Sequence, residues 1–390
     1  MHVVSLEARH VRVHLRRPVR HASHARTETD NLVVRVQLSD GKVGFGEGVP
    51  REYVTGETID SAIELLKRSD LARQLKPASE FPDVLANAEA VTLADIPGDD
   101  RKCQGNAARC AVELAYLDAF GRSLGEPLMN VAKALAPDLY QPAEKVQYSG
   151  VLLSSRGWKL RFKALAYRLA GFRQIKVKVG IAGQDDVKRL RAVRRCVGPG
   201  VDVRIDANEA WAADTAADRI RELERYGVRS VEQPVPHEQV EALAEVRKQV
   251  KTPVMLDESL CGMTDAVRAV GGGWCDLFNL RLSKCGGFIP TLRLAEFARR
   301  NNLGYQLGCQ VGETGILSAA GRQFACSVGG ITAREGSFDR HLVTDALTAE
   351  DITFASRGGW APMLVGSGTG VTVDPARLDA VTVRREVLIG

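Results

Sequence analysis

The 390-residue chain has no CxxC pair, no long apolar run, and only 6% aromatic residues. Its eight cysteines (Cys103, Cys110, Cys196, Cys261, Cys275, Cys285, Cys309 and Cys326) are scattered without metal-ligand spacing. A chain of this length buries a core without disulfide staples, so reduced thiols in a cytoplasm are expected. Nothing approaches the ~18 apolar residues of a membrane span, so no membrane partner is expected. The opening "MHVVSLEARHVRVHLRRPVR" carries charge throughout and lacks the apolar centre and cleavage site of a secretory signal. Neither sign of charge dominates: 53 basic and 48 acidic residues are interspersed for a net +5. Basic stretches such as "RLRAVRRC" have few aromatics among them, which argues against a nucleic-acid partner.

What is present divides into two textures. "HVVSLEARHVRVHL" and "NLVVRVQL" alternate apolar and polar residues, and "SDGK" supplies a turn before "VGFGEG", so residues 31–48 read as a hairpin. "IDSAIELLKRSDLARQL" and "AARCAVELAYLDAFGRSLG" then show helical spacing, the second stopping at Arg122 and Gly125. Residues 1–125 therefore read as an α+β unit. Beyond about residue 145 short strands alternate with helical stretches: "VQYSGVLL", "QIKVKVG", "DVRIDAN", "SVEQPV", "PVMLDES", "LFNLRLSK" and "GYQLGCQVG". Sequential βα units imply a parallel sheet.

The polar residues ending five of these strands are Lys178, Asp206, Glu232, Asp257 and Lys284, separated by 25 to 28 residues each. One strand, one helix and two short loops occupy that length, so the fold expected is an α/β (β/α)7-8 TIM-like barrel over residues 130–350. Such barrels gather their strand C-termini on one catalytic face. Three carboxylates from consecutive strands would then form a ring of oxygen donors suited to Mg²⁺, with Mn²⁺ as a substitute, and costly to bury without a cation. In "QIKVKVG", Lys176 and Lys178 share one strand face and Ile175, Val177 and Val179 the other. Solvated lysines and helix N-caps at Asp206 and Asp257 would give the same local sequences.

"KVKVG", "IDANEAW", "VEQPV", "LDESL", "LRLSKCGG" and "GCQVGETGI", in this order, resemble the enolase superfamily. The KxK with a lone opposing lysine is similar to its muconate-lactonizing subgroup, which includes muconate cycloisomerases and dipeptide epimerases. The likeness extends to an N-terminal capping domain carrying "RTETDNLVVRV", "GFGEG" and "ELAYLDAFGR", expected over 1–125 and completed by part of 350–390. It implies metal ligation by Asp206, Glu232 and Asp257, acid/base roles for Lys178 and Lys284 on opposite faces of a substrate, and contact of Lys176 with the substrate carboxylate. Asn208, Glu258 and Glu313 match neighbouring polar groups. The implied activity is Mg²⁺-dependent abstraction of a proton α to a carboxylate, giving a metal-stabilised enediolate, in a racemase, epimerase or cycloisomerase. Elimination of the dehydratase or o-succinylbenzoate-synthase kind is the alternative on the same scaffold. A small carboxylate substrate and a homo-oligomeric assembly go with that reading.

The chemistry follows from elementary principles. A metal at the carboxylate oxygens stabilises the charge that α-deprotonation puts there, and a lysine beside positive charge loses its proton more readily. None of the seven histidines falls at a predicted sixth or seventh strand end, which disfavours a mandelate-racemase-like histidine base. Cys309 lacks a histidine partner and reads as packing. Specificity is expected from the loops around "RPVRHASHART" and "GVPREYVTGET", where Arg20 or Arg26 would meet a second carboxylate. At the last strand "EGSFDRHLV" provides Ser337 and Asp339, one acid short of the pair that dipeptide epimerases use for an amino group. Two readings of another class remain: a Schiff-base aldolase barrel using Lys178 or Lys284, and a catalytically silent binding barrel.

Overall fold

The computed structural model describes residues 1–20 and 25–390. Three antiparallel strands, β1 (Val3–Arg20), β2 (Ala25–Leu38) and β3 (Val43–Gly48), open the chain, with β2 and β3 forming the expected hairpin. The helix Asn106–Leu124 packs across them and ends at Gly125, which adopts a left-handed φ of 76°. Its packing explains "GFGEG". A side-chain carbon on Gly44, Gly46 or Gly48 would collide with helix backbone at Ala119, Ala111 and Ala107 respectively. Glycine at every second strand position thus meets alanine at every fourth helix position, bringing strand and helix backbones into direct contact.

After the short strand β4 (Lys145–Gln147) come eight parallel strands: β5 (Gly150–Leu152), β6 (Gln174–Lys178), β7 (Asp202–Asp206), β8 (Val228–Glu232), β9 (Val254–Leu256), β10 (Leu277–Leu280), β11 (Gly304–Leu307) and β12 (Ile331–Arg334). They follow one another in chain order around a curled sheet with helices outside. The two edges meet where Ser149 N–H donates to the Arg334 carbonyl at 2.8 Å. Of "VQYSGVLL", only Gly150–Leu152 enters this sheet, because β4 pairs with β13 (Trp360–Pro362). "GCQVG" likewise lies beyond β11, as an exit loop.

The C-terminal strand β14 (Thr382–Ile389) returns to pair antiparallel with β1. Buried carboxylates join the layers. Glu47 of β3 accepts from Thr314 Oγ1 at 2.7 Å, Leu317 N at 2.9 Å and Asn31 Nδ2 at 2.6 Å. Glu113 of the long helix accepts from Ile289 N at 3.1 Å, and burial raises its pKa to about 7. Asp118 accepts from Thr369 N at 2.7 Å, tying down the returning C-terminal segment. The N-terminal unit is thereby seated on the loops that leave the barrel strands. Among the described residues no helix is long and apolar enough to cross a membrane.

Candidate active site

Strand register assembles the site. Lys176 lies beside Arg204 and Lys178 beside Asp206 between β6 and β7, and Asp206 lies beside Glu232 between β7 and β8. Asp257 follows β9 directly. The three carboxylates therefore sit side by side at strand ends, each about 1% exposed. The helices after β7 and β9 have Ala212 and Gly262 at their N-caps, so neither Asp206 nor Asp257 is a helix cap.

The ring, expected to be costly to bury without a cation, is compensated in part by protein cations. Lys176 Nζ lies 3.3 Å from Asp206 Oδ2, 3.4 Å from Glu232 Oε1 and 2.7 Å from Glu335 Oε2. Arg281, immediately after β10, joins Asp257 to Glu232: it bonds Asp257 Oδ2 and lies 3.7 Å from Glu232 Oε1. Beneath them, Asn279 Nδ2 and Gln306 Nε2 donate to Glu232 at 2.9 and 3.2 Å. Arg204 holds Glu335 at 3.0 Å and Ser149 Oγ at 2.8 Å. The interior is thus a polar lattice, in which Arg204 Nε, Asn279 Oδ1 and Arg281 Nε have no hydrogen-bond partner.

Electrostatics follow from this packing. Burial, together with Asp206, Glu335 and Asp257, raises the Glu232 pKa to about 8, although Lys176 opposes the shift. Burial also acts on Glu335, but Lys176 and Arg204 outweigh it and hold that carboxyl at about 2. Asp257 is likewise buried, yet Arg281 and Lys284 keep it below the ordinary carboxylate range. Burial and the neighbouring carboxylates thus leave Glu232 short of positive charge, a deficit that a hard cation held by oxygen donors at these strand ends would meet.

The predicted lysines occupy unlike environments. Lys178 keeps 21% of its side chain exposed, donates to Asn208 Oδ1 and stands 3.8 Å from Asp206 Oδ2. Lys176, expected to touch the substrate carboxylate, has its ammonium among three protein carboxylates. Lys284 was expected at the mouth opposite Lys178, and the structure does not place it there. It is fully buried and donates to Asp257 O at 2.7 Å, Asp257 Oδ1 at 2.8 Å and Asn279 O at 2.8 Å. Three donors meet three acceptors, so nothing of Lys284 is left for a substrate.

Asn208 links two predicted residues, accepting from Lys178 and donating to Glu258 Oε1 at 3.3 Å. Its φ is 42°, and Gln233 at 38° and Ser337 at 49° share this left-handed region at other strand exits. Such conformations concentrate where surrounding structure holds loops in functional positions. Gln233 braces the ring, its Oε1 accepting from Asp257 N at 3.0 Å and Ser259 N at 3.1 Å.

Glu313 accepts from Gln310 N, and burial raises its pKa to about 8. Ser337, Glu313, Cys309 and Glu335 line a common cavity with Tyr148 and Gly308. Asp339 lies next along this exit, 5% exposed, its pKa pushed to about 6 chiefly by burial. Burial pushes the Cys309 thiol up, in keeping with a packing role. Arg26, expected to meet a second substrate carboxylate, rests over the Tyr53 ring at 5.3 Å. Residues 21–24 of "RPVRHASHART" and the Arg20 side chain lie outside the described set.

Arg281, Glu335, Arg204 and Gln233 were missed by the sequence reading. Arg281 was within reach of the spacing argument, since it lies 24 residues after Asp257 and directly after its strand. The barrel arginine and Glu335 gave no signal without register. Separately, Glu209, His237 and Glu238 converge within 4.8 Å beyond β7 and β8. His237 Nδ1 is 2.7 Å from Glu209 Oε1, a bond that raises the histidine pKa.

Both parts of the chain match known proteins. Residues 3–131 match the model of the mandelate racemase / muconate lactonizing enzyme N-terminal domain, and residues 159–377 match the enolase C-terminal domain-like model. The chain is 28% identical to an N-succinyl-L-Arg/Lys racemase of Bacillus cereus over 86% of its own length and 87% of the relative's. The crystal structure of the racemase superposes with a TM-score of 0.84 at 25% identity, covering 99% and 100% of the two chains. Muconate cycloisomerase 1 of Rhodococcus opacus is 28% identical over 96% and 97%. A Cytophaga hutchinsonii dipeptide epimerase, solved with Mg and D-Ala-L-Val, gives a TM-score of 0.83 at 25% identity over the full length of both chains.

Proposed function

The chain belongs to the mandelate racemase / muconate lactonizing enzyme family of the enolase superfamily, and from that premise we propose that it isomerises a small carboxylic acid by moving the proton on the carbon next to the carboxylate, with Lys178 as the proton carrier. The observation that carries this reading is the contrast between Lys178, exposed at the mouth beside Asp206, and the buried carboxylate ring. Asp206, Glu232 and Asp257 would hold Mg²⁺ or Mn²⁺, which when bound supplies positive charge against the negative charge that grows on the substrate carboxylate. Lys178 takes the proton, and Asn208 orients its ammonium. Lys176 and Glu335 hold the ring from below, so the carboxylates cannot drift apart. The cap segments bearing Arg26, at the start of β2, and Tyr53, stacked at 5.3 Å, would cover the mouth and exclude water.

The boundaries 1–125 with part of 350–390 for the cap, and 130–350 for the barrel, belong to the same proposal. So does homo-oligomeric assembly, supported by the helix Gly157–Leu169, which exposes Trp158, Phe162, Leu165 and Leu169 along one face. Residence in the cytoplasm is supported by eight free cysteines. The deciding experiment is α-deuterium exchange in D₂O with Mg²⁺ across N-acylated amino acids, dipeptides and unsaturated diacids. Exchange abolished by Lys178→Ala is the expected result; undiminished exchange in that variant would sink the assignment.

A further inference from the structure

The mouth of the barrel offers two cations to a substrate, and only one of them can carry a proton. β6 and β10 stand four strands apart in a sheet of eight, so Lys178 and Arg281 face each other across the opening. Lys284 cannot take the place opposite Lys178. Its ammonium lies on the inner side of Asp257 with no exposure and three internal acceptors. Arg281 instead reaches both Asp257 and Glu232, with Nη1 3.2 Å from Gln310 Oε1 in the loop after β11. A guanidinium stays charged in proteins and has no lone pair with which to accept a proton.

We propose that Arg281, not Lys284, is the group opposite Lys178, and that the enzyme therefore handles the α-proton from one face only and does not invert the α-carbon. This rests on the function proposed above. The Lys178 amine takes the proton as the C–H electron pair moves toward the carboxylate. Where the β-carbon carries a leaving group, as in ring opening by a cycloisomerase, that pair then forms the Cα–Cβ double bond while the leaving group departs with its own electron pair and the ammonium gives up its proton. Where there is none, the ammonium returns a proton to the same face, which is seen only as exchange. Arg281 binds the growing negative charge from the far side, fixed by Asp257, Glu232 and Gln310, and exchanges nothing. Racemisation needs a second group to deliver a proton to the opposite face, and none is placed there among the described residues. Several relatives are racemases or epimerases by name; the inference separates this chain from them on the chemistry of one side chain.

The test uses N-succinyl-L-arginine and N-succinyl-D-arginine in D₂O with Mg²⁺, followed by NMR and chiral chromatography. In the wild-type enzyme one enantiomer should exchange at least ~100-fold faster than the other without interconversion, and Arg281→Lys should raise exchange of the slower one at least ~10-fold and begin interconversion. Interconversion of the two by the wild-type enzyme at comparable rates overturns the inference. If neither acid exchanges, the functional reading fails for this substrate class, and acetylation of the native wild-type protein decides the placement on its own. Acetic anhydride, with sites mapped by mass spectrometry, should modify Lys178 and leave Lys284 untouched. Acetylation of Lys284 as fast as Lys178 would overturn the proposal.

Discussion

The ammonium of Lys284 lies 2.8 Å from Asp257 Oδ1, while the other carboxylate oxygen of Asp257 is bonded by Arg281. One carboxylate is thus shared by a cation sealed in the wall and a cation open to the mouth. The sealed one is structural on this geometry. Lys284→Met should destabilise the fold by ~3 kcal/mol, because it strips a buried carboxylate of one partner and leaves two backbone carbonyls without a donor. Urea denaturation measures this. A variant as stable as wild type but devoid of exchange would restore Lys284 to the chemistry.

Metal binding can be read without substrate. Asp206→Asn and Asp257→Asn should each weaken Mn²⁺ binding at least ~100-fold, followed by electron paramagnetic resonance, since each removes a charged oxygen donor from a three-carboxylate set. Exhaustive chelation should stop exchange. Unchanged Mn²⁺ affinity in both variants would move the metal elsewhere, and Glu209→Gln with His237→Ala would then test the outer cluster.

Glu335 predicts an acid limb of stability. Its folded pKa of about 2 lies below the ordinary 4.5, because Lys176 and Arg204 outweigh its burial. A carboxyl depressed in the folded state contributes stability that is complete above about pH 4.5 and lost as pH falls toward 2. Glu335→Gln should therefore be less stable than wild type at pH 7, and the difference should shrink through that window. Urea midpoints at pH 7, 5 and 3 check it; a constant difference would mean that Lys176 and Arg204 do not depend on this charge.

Much of the site was legible because strand ends recur. Asp206, Glu232 and Asp257 were found by counting, and register places them as neighbours. The same count chose Lys284 over Arg281, because a one-dimensional spacing cannot tell the residue after a strand from one a helical turn later. That turn, Leu282–Cys285, carries Lys284 back into the wall. Arg204, Glu335 and Gln306 were illegible for another reason. Polar residues in a strand, as Arg204 and Gln306 are, or just after one, as Glu335 is, usually face solvent, and only closure of the sheet turns these inward.

The glycine strip of β3 should be intolerant of any side chain. Gly46→Val would push into the Ala111 carbonyl and the Leu114 side chain, and backbone cannot step aside as a flexible side chain can. The expected cost is ~3 kcal/mol or more, with loss of helix–strand packing visible in hydrogen exchange over residues 106–124. Gly41→Ala makes the control, since that turn position has open space although its φ is 82°. Equal stability of Gly46→Val and Gly41→Ala would contradict the close approach.

Asn208 tests how Lys178 is aimed. Its side chain accepts from the ammonium and donates to Glu258, and its φ of 42° suits asparagine and glycine better than alanine. Asn208→Gly keeps the backbone but removes the acceptor, so kcat for exchange should fall ~10- to 100-fold with little change in the pH at which the rate rises. Asn208→Asp keeps an acceptor and adds a negative charge beside Lys178. That charge favours the ammonium, which must lose its proton before it can act as a base. The rising limb of the pH–rate profile should therefore move to higher pH in Asn208→Asp alone. A structural role would lower both rates without separating the profiles, and identical profiles in the two variants would show that Asn208 does not act through the ammonium of Lys178.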